Sequence, residues 1–484
     1  MLHRLIEVIF TNLIGGRDLL LSNETFDVKS RFYEDYLTKI PNSNRFDIKT
    51  AISKVKSSIT DLSRLRFEDR FDILKIVAKK ISTDSKDLEY VVKMTGMPVS
   101  HVEEKIDEIK KFMSDIPDYI SKRFQIIHGK IGNHITGSDM LEILEPIDGF
   151  VYGVTPGNDI RIVPFVVSWL VTLGMCGIIK VSKNDLVISQ KIVKILINSG
   201  YPESALNIVC WDTSNQARNR LNFDLVDASK IVWAYGDDNT VDNLLRFENI
   251  QNNELSYKID HFSDKIVIRH ASGRAAAVCD ADIDLEKAID IIVLSTLDWP
   301  IGCNALKVVF DSNSRHEELL EMIKEKFETI SKHTGDPMKS STKIGYIDPD
   351  VIKHVFQRAE ALNRLGLLEI KHGTVHSTMQ ADPLLIVTEN KNSEFLSAEF
   401  PLYNLSIKKC NSYEDAIKEV NETGGKSKRL VISVLSHNPS DVLNKNLNSH
   451  HVKVFRKTTE VDLLYHEGND YVRRLTLPQI HRSF

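Results

Sequence analysis

The sequence predicts an α/β fold made of two doubly wound domains with a small additional strand element, and three observations support this. Short apolar segments alternate with longer segments in which apolar residues recur at spacings of three and four, first over residues 148–268 and less regularly over 269–447. The short segments are typical of buried strands and the longer ones of amphipathic helices. Strands separated by helices of about 10–15 residues indicate parallel sheets. At 484 residues the chain also exceeds what one hydrophobic core usually supports.

The elements follow one another along the chain in a readable order. Residues 1–46 show no clear pattern and are treated as an N-terminal extension, whereas residues 47–125 carry helical periodicity. A strand hairpin is predicted at about 125–147. The strands predicted after it are GFVYGV, CGIIKVS, LNIVCW, KIVWAYG and KIVIRH in the first domain, then ALKVVF, PLLIVTE, LSIKKC and LVISVLS in the second.

Composition excludes several classes of protein. The formal net charge is −5 and Lys/Arg blocks are absent, so nothing indicates a nucleic-acid partner. No segment approaches the ~20 consecutive apolar residues of a membrane-spanning helix. The five cysteines are scattered and form no CxxC pair, so neither a metal site nor a disulfide framework is expected. Reduced thiols of this kind are typical of a cytoplasmic enzyme.

Cys303 is the candidate nucleophile. It follows Pro300 and Gly302, which place it in a turn between a long helical segment and the apolar strand ALKVVF. A cysteine beside a buried strand is more often a small core residue, and that alternative stays open from the local pattern alone. The other four cysteines lie within or at the ends of apolar strands and are interpreted as structural.

The segment VTPGN resembles a strand-turn of the aldehyde dehydrogenase superfamily, written there as proline, a variable residue and asparagine. The resemblance implies that the Asn158 side-chain amide, together with the backbone N–H of Cys303, holds the oxyanion formed during the reaction. Thr155 and Pro156 belong to the same turn and are assigned to the cofactor site. A donor fixed in advance at developing charge contributes ~2.7–4 kcal/mol to such a step. The alternative is that Pro-Gly-Asn is only a turn.

GIIKVSKND matches the next strand of that superfamily, which ends in a lysine that binds the cofactor. Lys180 takes this position, Ser182 lies in the same segment, and Lys183 stands where NAD-preferring members often have a glutamate. A cation there would attract a 2′-phosphate, so NADPH is expected rather than NADH. Lys183 could equally be a solvated turn residue.

Two further positions are assigned to the cofactor by the same resemblance. Gly236, before a predicted helix, falls where the superfamily binds the pyrophosphate, although Asp237 and Asp238 would repel phosphate unless they cap that helix. Glu399, before Phe400 and Pro401, matches a glutamate that bonds the nicotinamide ribose in the superfamily. A surface carboxylate is the alternative.

Over roughly residues 120–484 the chain most resembles LuxC-type fatty acyl-CoA reductases. The matching pieces include PGNDIRIVPF, SGRAAAVCD, GCNALKVVF, AEFPLYNLS and HEGNDYVRRLTL. Hydrolytic aldehyde dehydrogenases carry a general-base glutamate where this chain has His270, and its loss favours acyl-thioester reduction over hydrolysis. His270 is therefore a candidate proton donor or activator of Cys303, with a structural histidine as the alternative.

The resemblance implies a domain division and a set of partners. We expect a nucleotide-binding domain at 47–268 that includes an oligomerisation hairpin at about 125–147, and a catalytic domain at 269–447 that carries the nucleophilic cysteine. Residues 448–484 are expected to return to the first domain and to supply a second oligomerisation strand. The expected reaction is NADPH-dependent reduction of a fatty acyl thioester, acyl-CoA or acyl-protein, to the aldehyde through a thioacyl-cysteine intermediate. A homo-oligomer is expected, with an acyl-protein synthetase as a candidate partner. The alternatives are an oxidative aldehyde dehydrogenase, acylating or hydrolytic, and a catalytically silent scaffold.

Overall fold

A computed structural model of the chain describes residues 10–21, 24–30, 32–33, 36–127, 130–134, 140–245, 265–270, 272–423, 429–437, 447–460 and 471–482. The chain divides into two compact units. Unit 1 comprises Met1–Tyr90, Glu104–Ala271 and Asn469–Phe484, and unit 2 comprises Val91–Glu103 and Ser272–Gly468. The HEGND segment that contributed to the LuxC-type resemblance lies outside the described residues.

Strands and helices are numbered separately in chain order. The strands are β1 Asn12–Ile14, β2 Arg17–Leu19, β3 Thr25–Lys29, β4 Tyr36–Pro41, β5 Gln125–Ile127, β6 Lys130–His134, β7 Met140–Pro146, β8 Phe150–Val154, β9 Cys176–Lys180, β10 Leu206–Val209, β11 Ile231–Tyr235, β12 Ile266–His270, β13 Ala275–Cys279, β14 Leu306–Asp311, β15 Glu369–His372, β16 Val375–Ser377, β17 Gln380–Ala381, β18 Leu384–Val387, β19 Asn404–Lys409, β20 Arg429–Leu435, β21 Ser449–Val454 and β22 Thr476–Arg482. The helices are α1 Arg45–Ser57, α2 Ile59–Ser63, α3 Phe67–Lys80, α4 Ser85–Thr95, α5 Val99–Arg123, α6 Ile162–Leu173, α7 Leu186–Asn198, α8 Gln216–Asn219, α9 Leu221–Ala228, α10 Asp238–Leu245, α11 Leu285–Leu297, α12 His316–Ser331, α13 Pro349–Arg364, α14 Glu394–Ser397, α15 Tyr413–Glu422 and α16 Tyr471–Leu475.

Unit 1 is built on a sheet with the strand order β12-β11-β8-β9-β10-β1-β2. The first five strands in this order are parallel to one another. The chain moves outward from β8 through β9 to β10 and then returns to the other side of β8 for β11 and β12. The strand order therefore reverses between β8 and β11, which is the switch point where α/β folds bind ligands. This confirms the predicted doubly wound α/β class.

Helix α6 explains how the sheet of unit 1 is covered. Its sequence IVPFVVSWLVTL is apolar on all sides, and nearly every residue is buried. A helix of this composition is stable only inside a protein. It ends at Gly174, whose φ of +70° is the left-handed conformation that closes many helices.

The N-terminal region contains strands although residues 1–46 show no clear periodic pattern in the sequence. β1 pairs antiparallel with β10 and with β2, and β3 pairs with β4. Leu13 and Ile14 are completely buried. These strands are only three to six residues long, too short for a period-two pattern to stand out.

A separate antiparallel sheet in unit 1 has the order β22-β7-β6-β5. β22 pairs with β7 along its whole length, from Thr476 opposite Pro146 to Arg482 opposite Met140. The strands predicted at 125–147 and near the C-terminus are therefore present and belong to one sheet.

Unit 2 is built on a second sheet, with the order β15-β18-β19-β14-β13-β20-β21. All neighbours are parallel except β15, which pairs antiparallel with β18. Helices α11 and α12 pack on one face through buried aliphatic and aromatic side chains that include Ile292, Leu319 and Phe327. Helix α15 covers a cluster with Val308, Phe310 and Ile432.

Two features are absent from the residues that the structure describes. No helix among them has both the length and the apolar character needed to cross a membrane. The same residues contain no cluster of three or more histidine, cysteine or acidic side chains placed to hold a metal ion.

Candidate active site

The predicted site residues fall into two groups, one in each unit. In unit 1 the strand ends line up, because Val154 is opposite both Lys180 and Ala234, and Tyr235 is opposite His270. The segments that follow β8, β9, β11 and β12 therefore begin at one edge of the sheet. This is the carboxyl edge on either side of the switch point, where a nucleotide is expected.

The turn after β8 interlocks with the turn after β9. Gly157 has φ +74°, and a Cβ there would lie 2.1 Å from the Ser182 hydroxyl oxygen, so glycine is required. The Asn184 amide donates to the Gly157 carbonyl at 2.8 Å, and the Thr155 N–H donates to the Lys180 carbonyl at 3.2 Å. The two predicted cofactor segments thus form one rigid surface.

Asn158 is half-buried beside a rigid ion pair. Directly after it, the Asp159 carboxylate accepts from Arg161 Nε at 3.0 Å, and Arg161 also contacts Glu108. Burial alone would raise the pKa of Asp159, but the Arg161 guanidinium holds it below its ordinary value. The pair fixes the start of α6 and with it the turn that carries Asn158.

Lys180 lies at the end of β9 with its ammonium over the ring of Trp211, 5.6 Å from the ring centre. Burial lowers its pKa. The nearby Asp185 carboxyl is also buried, and neither of its oxygens has a hydrogen-bond partner among the described residues. Burial raises the pKa of Asp185 well above its usual range, and the neighbouring Lys180 ammonium opposes this rise. A partly desolvated cation at the carboxyl edge fits an anionic or hydroxyl-rich nucleotide.

The remaining predicted cofactor positions of unit 1 differ in character. Pro156 and Ser182 are half-buried, and Lys183 is exposed. Gly236 approaches Thr240 closely, since a Cβ on it would lie 3.1 Å from the threonine methyl group. Asp237 caps α10, because its carboxylate accepts from the Thr240 N–H at 2.6 Å. The cap explains the aspartate after Gly236, but it also occupies an amide that a phosphate would otherwise use.

His270 lies in an aromatic cluster of unit 1. Its ring stacks on Tyr235 at 4.2 Å with an interplanar angle of 7°, and its Nε2 is 3.1 Å from the Tyr471 hydroxyl. Only 2% of its surface is exposed. These contacts favour the structural alternative, and a catalytic role for His270 stays a prediction.

In unit 2, Cys303 lies in a turn between α11 and β14. The Gly302 N–H donates to the Trp299 carbonyl at 2.9 Å, and the Ala305 N–H donates to the Gly302 carbonyl at 3.0 Å. The turn setting that the sequence predicted is therefore present. Cys303 is half-buried against Ala275 and Leu430.

The other cysteines are unsuited to nucleophilic chemistry. All five are among the described residues, and four of them, Cys176, Cys210, Cys279 and Cys410, are buried. Burial raises the pKa of Cys176 to about 12 and that of Cys210 to about 11. A thiol that stays protonated is a poor nucleophile, so Cys303 is the candidate that its setting singles out.

Gly273 lies directly against the turn that carries Cys303. A Cβ on Gly273 would lie 1.3 Å from the Cys303 carbonyl oxygen, so the two backbones are in direct contact. The Gly273 N–H donates to the Glu399 carboxylate at 2.8 Å, and the Gly273 carbonyl accepts from the Leu430 N–H. The structure thus brings Cys303 and Glu399 together through Gly273.

Besides Gly273, three residues of this site are not predicted from the sequence, namely Arg274, Lys307 and Arg429. Arg274, with φ +48°, follows Gly273, and its carbonyl accepts from the buried guanidinium of Arg429 at 2.8 Å. Lys307 is 1% exposed and donates to the Pro300 and Leu402 carbonyls. Arg429, directly before the apolar segment LVISVL, and Lys307, within LKVVF, are visible in the sequence as charged residues at apolar strands. Their partners are distant in sequence and cannot be identified from this pattern.

Comparison with known proteins gives a family match. The model of the aldehyde dehydrogenase family matches residues 21–443. Among curated proteins, a malonate-semialdehyde dehydrogenase from Lacticaseibacillus casei is 24% identical over 200 residues, which is 41% of this chain and 40% of that protein. A gamma-glutamyl phosphate reductase from Prochlorococcus marinus is 32% identical over 91 residues, 19% of this chain and 20% of that protein. The chain thus aligns with less than half the length of these relatives.

Solved structures share the fold over nearly the whole chain. An NAD-dependent aldehyde dehydrogenase from Sinorhizobium meliloti superposes with a TM-score of 0.81 at 16% identity, covering 98% of this chain and 95% of the other. A glyceraldehyde-3-phosphate dehydrogenase from Methanocaldococcus jannaschii, solved with NADP, gives 0.77 at 15% identity, covering 95% and 99%. At these identities the likeness establishes the architecture.

Proposed function

Because this chain belongs to the aldehyde dehydrogenase family, we propose that it reduces a fatty acyl thioester to the aldehyde with NADPH, through a thioacyl intermediate on Cys303. The observation that carries the proposal is the setting of that thiol. Cys303 is half-buried in a hydrogen-bonded turn on the Gly273 backbone, whereas the other four cysteines are buried.

The first step is acyl transfer to the protein. The Cys303 thiolate attacks the thioester carbonyl, and the oxyanion that forms is held by backbone N–H donors and by Asn158, the donor that the resemblance assigns. When the oxyanion collapses, the bond to the carrier sulfur breaks, and the carrier leaves as a thiolate that takes up a proton. The acyl group remains on Cys303 as a thioester.

The second step converts the bound acyl group to an aldehyde. NADPH, when bound, supplies a hydride, which is the two-electron reductant of the reaction. The same donors hold the oxyanion of the resulting hemithioacetal. Its collapse breaks the bond between carbon and the Cys303 sulfur, releases the aldehyde and regenerates the thiolate.

Reduction rather than hydrolysis is favoured by the residue at the position of the family's general-base glutamate. That residue is His270, whose ring is buried against Tyr235 and bonded to the Tyr471 hydroxyl. A carboxylate at this position would activate water against the thioacyl group, and a buried, partnered imidazole is poorly placed to do so. The partial likeness to gamma-glutamyl phosphate reductase also agrees with a reductive direction.

The cofactor residues divide between the two units. Lys180 and Ser182, at and after the end of β9, are proposed to hold the adenosine end together with Thr155 and Pro156 in the turn after β8, with Gly236 near the pyrophosphate. Glu399 is proposed to bind the nicotinamide ribose. These assignments correspond to the proposed nucleotide-binding domain at 47–268 and the proposed catalytic domain at 269–447. The acyl donor is proposed to be either acyl-CoA or an acyl-protein.

The test is aldehyde formation from a panel of acyl-CoA thioesters with NADPH, followed by gas chromatography of the products. The expected result is aldehyde with long-chain substrates and consumption of one NADPH for each aldehyde. The proposal fails if no acyl thioester of any chain length is reduced with NADPH while an aldehyde is oxidised when NADP⁺ or NAD⁺ replaces it.

That outcome would support an oxidative aldehyde dehydrogenase, the second candidate. One observation favours it, namely the partial likeness to malonate-semialdehyde dehydrogenase. Addition of coenzyme A to the oxidative assay separates an acylating enzyme from a hydrolytic one. A protein that binds no nucleotide in a fluorescence titration would instead be a scaffold.

The preference for NADPH is tested at Lys183. Its side chain is exposed, it stands three residues after Lys180, and its ammonium is proposed to attract the 2′-phosphate. K183E should lower the ratio of kcat/KM for NADPH over NADH by at least about tenfold, since bringing like charges together costs several kcal/mol. K332E, the same charge change at an exposed position of unit 2, serves as the control and should leave the ratio unchanged.

A further inference from the structure

Lys307 is an unusual residue for its place in the fold. It lies four residues after Cys303, in the second position of β14, with strands on both sides of it in the sheet. Its side chain is 1% exposed. A buried ammonium is costly unless its donors are used, so its contacts should explain its presence.

The ammonium of Lys307 connects two separate segments of unit 2. It donates to the Pro300 carbonyl at 3.0 Å, within the turn that carries Cys303. It also donates to the Leu402 carbonyl at 2.7 Å, three residues after Glu399 and 95 residues distant from Lys307 in sequence. One side chain therefore fixes both segments.

Further contacts link Glu399 and Gly273 to the same turn that Lys307 holds. The Glu399 carboxylate accepts from the Gly273 N–H at 2.8 Å, and the Gly273 backbone lies directly against Cys303. The Leu402 carbonyl that accepts from Lys307 lies three residues after Glu399, and the Lys307 charge opposes the rise in the pKa of Glu399 that burial causes. A displacement of Lys307, Glu399 or Gly273 would therefore shift the Cys303 turn.

We propose that Lys307 is a positioning residue that holds the Cys303 turn and the Glu399 carboxylate in register with each other. This inference rests on the proposed function, in which Cys303 takes up the acyl group and Glu399 binds the nicotinamide ribose. An apolar residue of the same size would fill the space but could not donate to either carbonyl.

The charges of Lys307 and Glu399 predict a pH dependence that a packing role alone would not produce. Burial lowers the pKa of Lys307 to about 7 even though Glu399 opposes the shift, and burial raises the pKa of Glu399. Glu399 is the ionisable group that acts on Lys307 among the described residues, and Arg274 acts in turn on Glu399. A neutral amine still carries two N–H donors, so near neutral pH the charge changes while both carbonyl bonds can persist.

The first test measures the rate at which iodoacetamide alkylates Cys303, followed by mass spectrometry of its peptide between pH 5.5 and 9.5. In the wild type, the loss of the Lys307 charge should add a second step near pH 7 to the profile. K307R, whose guanidinium does not titrate in this range, should show a single step. If K307R keeps the second step, Lys307 is not the titrating group and the inference is overturned.

The second test uses K307M with K408M as the matched control. Lys408 is another buried lysine, on the neighbouring strand β19, and it contacts Glu389 and Glu419 rather than the nucleophile turn. K307M should slow Cys303 alkylation several-fold and lower kcat for aldehyde formation by about 100-fold, as expected for a misplaced reacting group. K408M should retain both rates.

Two further outcomes are decisive. If K307M and K408M lower the alkylation rate and the melting temperature alike, Lys307 is only a packing residue and the positioning role is wrong. The alkylation measurements require no substrate, so they decide the role of Lys307 even if the wild type reduces no acyl thioester. A wild type that reduces no acyl thioester would therefore overturn the proposed function without deciding the role of Lys307.

Discussion

At the scale of single residues, one backbone contact determines how the candidate nucleophile is presented. Gly273 leaves room for the Cys303 carbonyl where any side chain would collide with it. The same glycine donates its N–H to Glu399 and accepts from Leu430 through its carbonyl. Three segments that are remote in sequence therefore meet at a residue with no side chain.

This contact leads to a prediction for G273A. The added methyl group must displace the Cys303 turn, so acyl transfer should fall by about 100-fold. G366A is the control, because Gly366 also lies in unit 2, at φ +69°, and has open space around it. Its cost should be confined to backbone strain of about 1 kcal/mol with activity retained. Equal acyl-transfer rates in the two variants would contradict the role given to Gly273.

The sequence could identify the residues whose chemistry is visible locally. Cys303 follows a proline and a glycine and precedes an apolar strand, and the structure has the turn at that place. Gly273 and Lys307 could not be assigned in this way. Their importance comes from contacts with Cys303, Pro300 and Leu402, and chain separation hides such contacts from local patterns.

At the scale of elements, the two units assemble their candidate residues at opposite kinds of sheet edge. In unit 1 the predicted residues follow the strands β8, β9 and β11, at the carboxyl edge. In unit 2 Gly273 precedes β13, Cys303 precedes β14, and Glu399 precedes β19. The candidate residues of unit 1 therefore lie where the carboxyl-edge rule for α/β folds places a ligand. The candidate nucleophile of unit 2 lies at the amino edge, which this rule would not have indicated.

The alternation of strands and helices was sufficient to predict both parallel sheets. The short strands β1–β4 were missed, because segments of three to six residues give too few positions for a periodic signal. For Asp237 the sequence leaves open both repulsion of a phosphate and capping of the next helix, and the structure has the cap.

The sheet β22-β7-β6-β5 leads to a prediction about assembly. Leu477, on β22, is 52% exposed although it is a large apolar residue. If this sheet forms the proposed oligomer contact, L477D should weaken association by more than about tenfold, since burial of a leucine contributes roughly 1.5–3 kcal/mol. Light scattering after gel filtration measures the mass of the particle.

The matched control for assembly is L365D. Leu365 is 70% exposed in unit 2, and the same substitution there should leave the oligomer intact. A wild-type protein that is already monomeric, or an L477D variant with an unchanged mass, would contradict the assignment of this sheet to assembly.

At the scale of the whole molecule, the buried Lys307 should couple stability to pH. Its pKa is lowered from 10.5 to about 7, so between these values the unfolded chain binds a proton that the folded protein does not. Stability should then rise with pH in this window, by at most about 1.4 kcal/mol per pH unit from this group. Below pH 7 both states are protonated, and the full cost of the buried charge remains.

Urea unfolding of the wild type and K307M between pH 7 and 10 measures this coupling. Acidic groups with raised pKa values, such as Asp185, contribute to both proteins and cancel in the difference. The difference in unfolding free energy should change in favour of the wild type as the pH rises. A difference that stays constant across this range would show that Lys307 keeps its proton in the folded protein.

Intact mass spectrometry can show whether Cys303 carries the acyl group, as proposed. Incubated with a long-chain acyl-CoA and no NADPH, the wild type should gain the mass of one acyl group, and added NADPH should remove it as aldehyde. C410A, which changes a buried cysteine of the same unit, should behave like the wild type. C303A should gain no mass, and an acyl adduct on C303A would show that Cys303 is not the acylated residue.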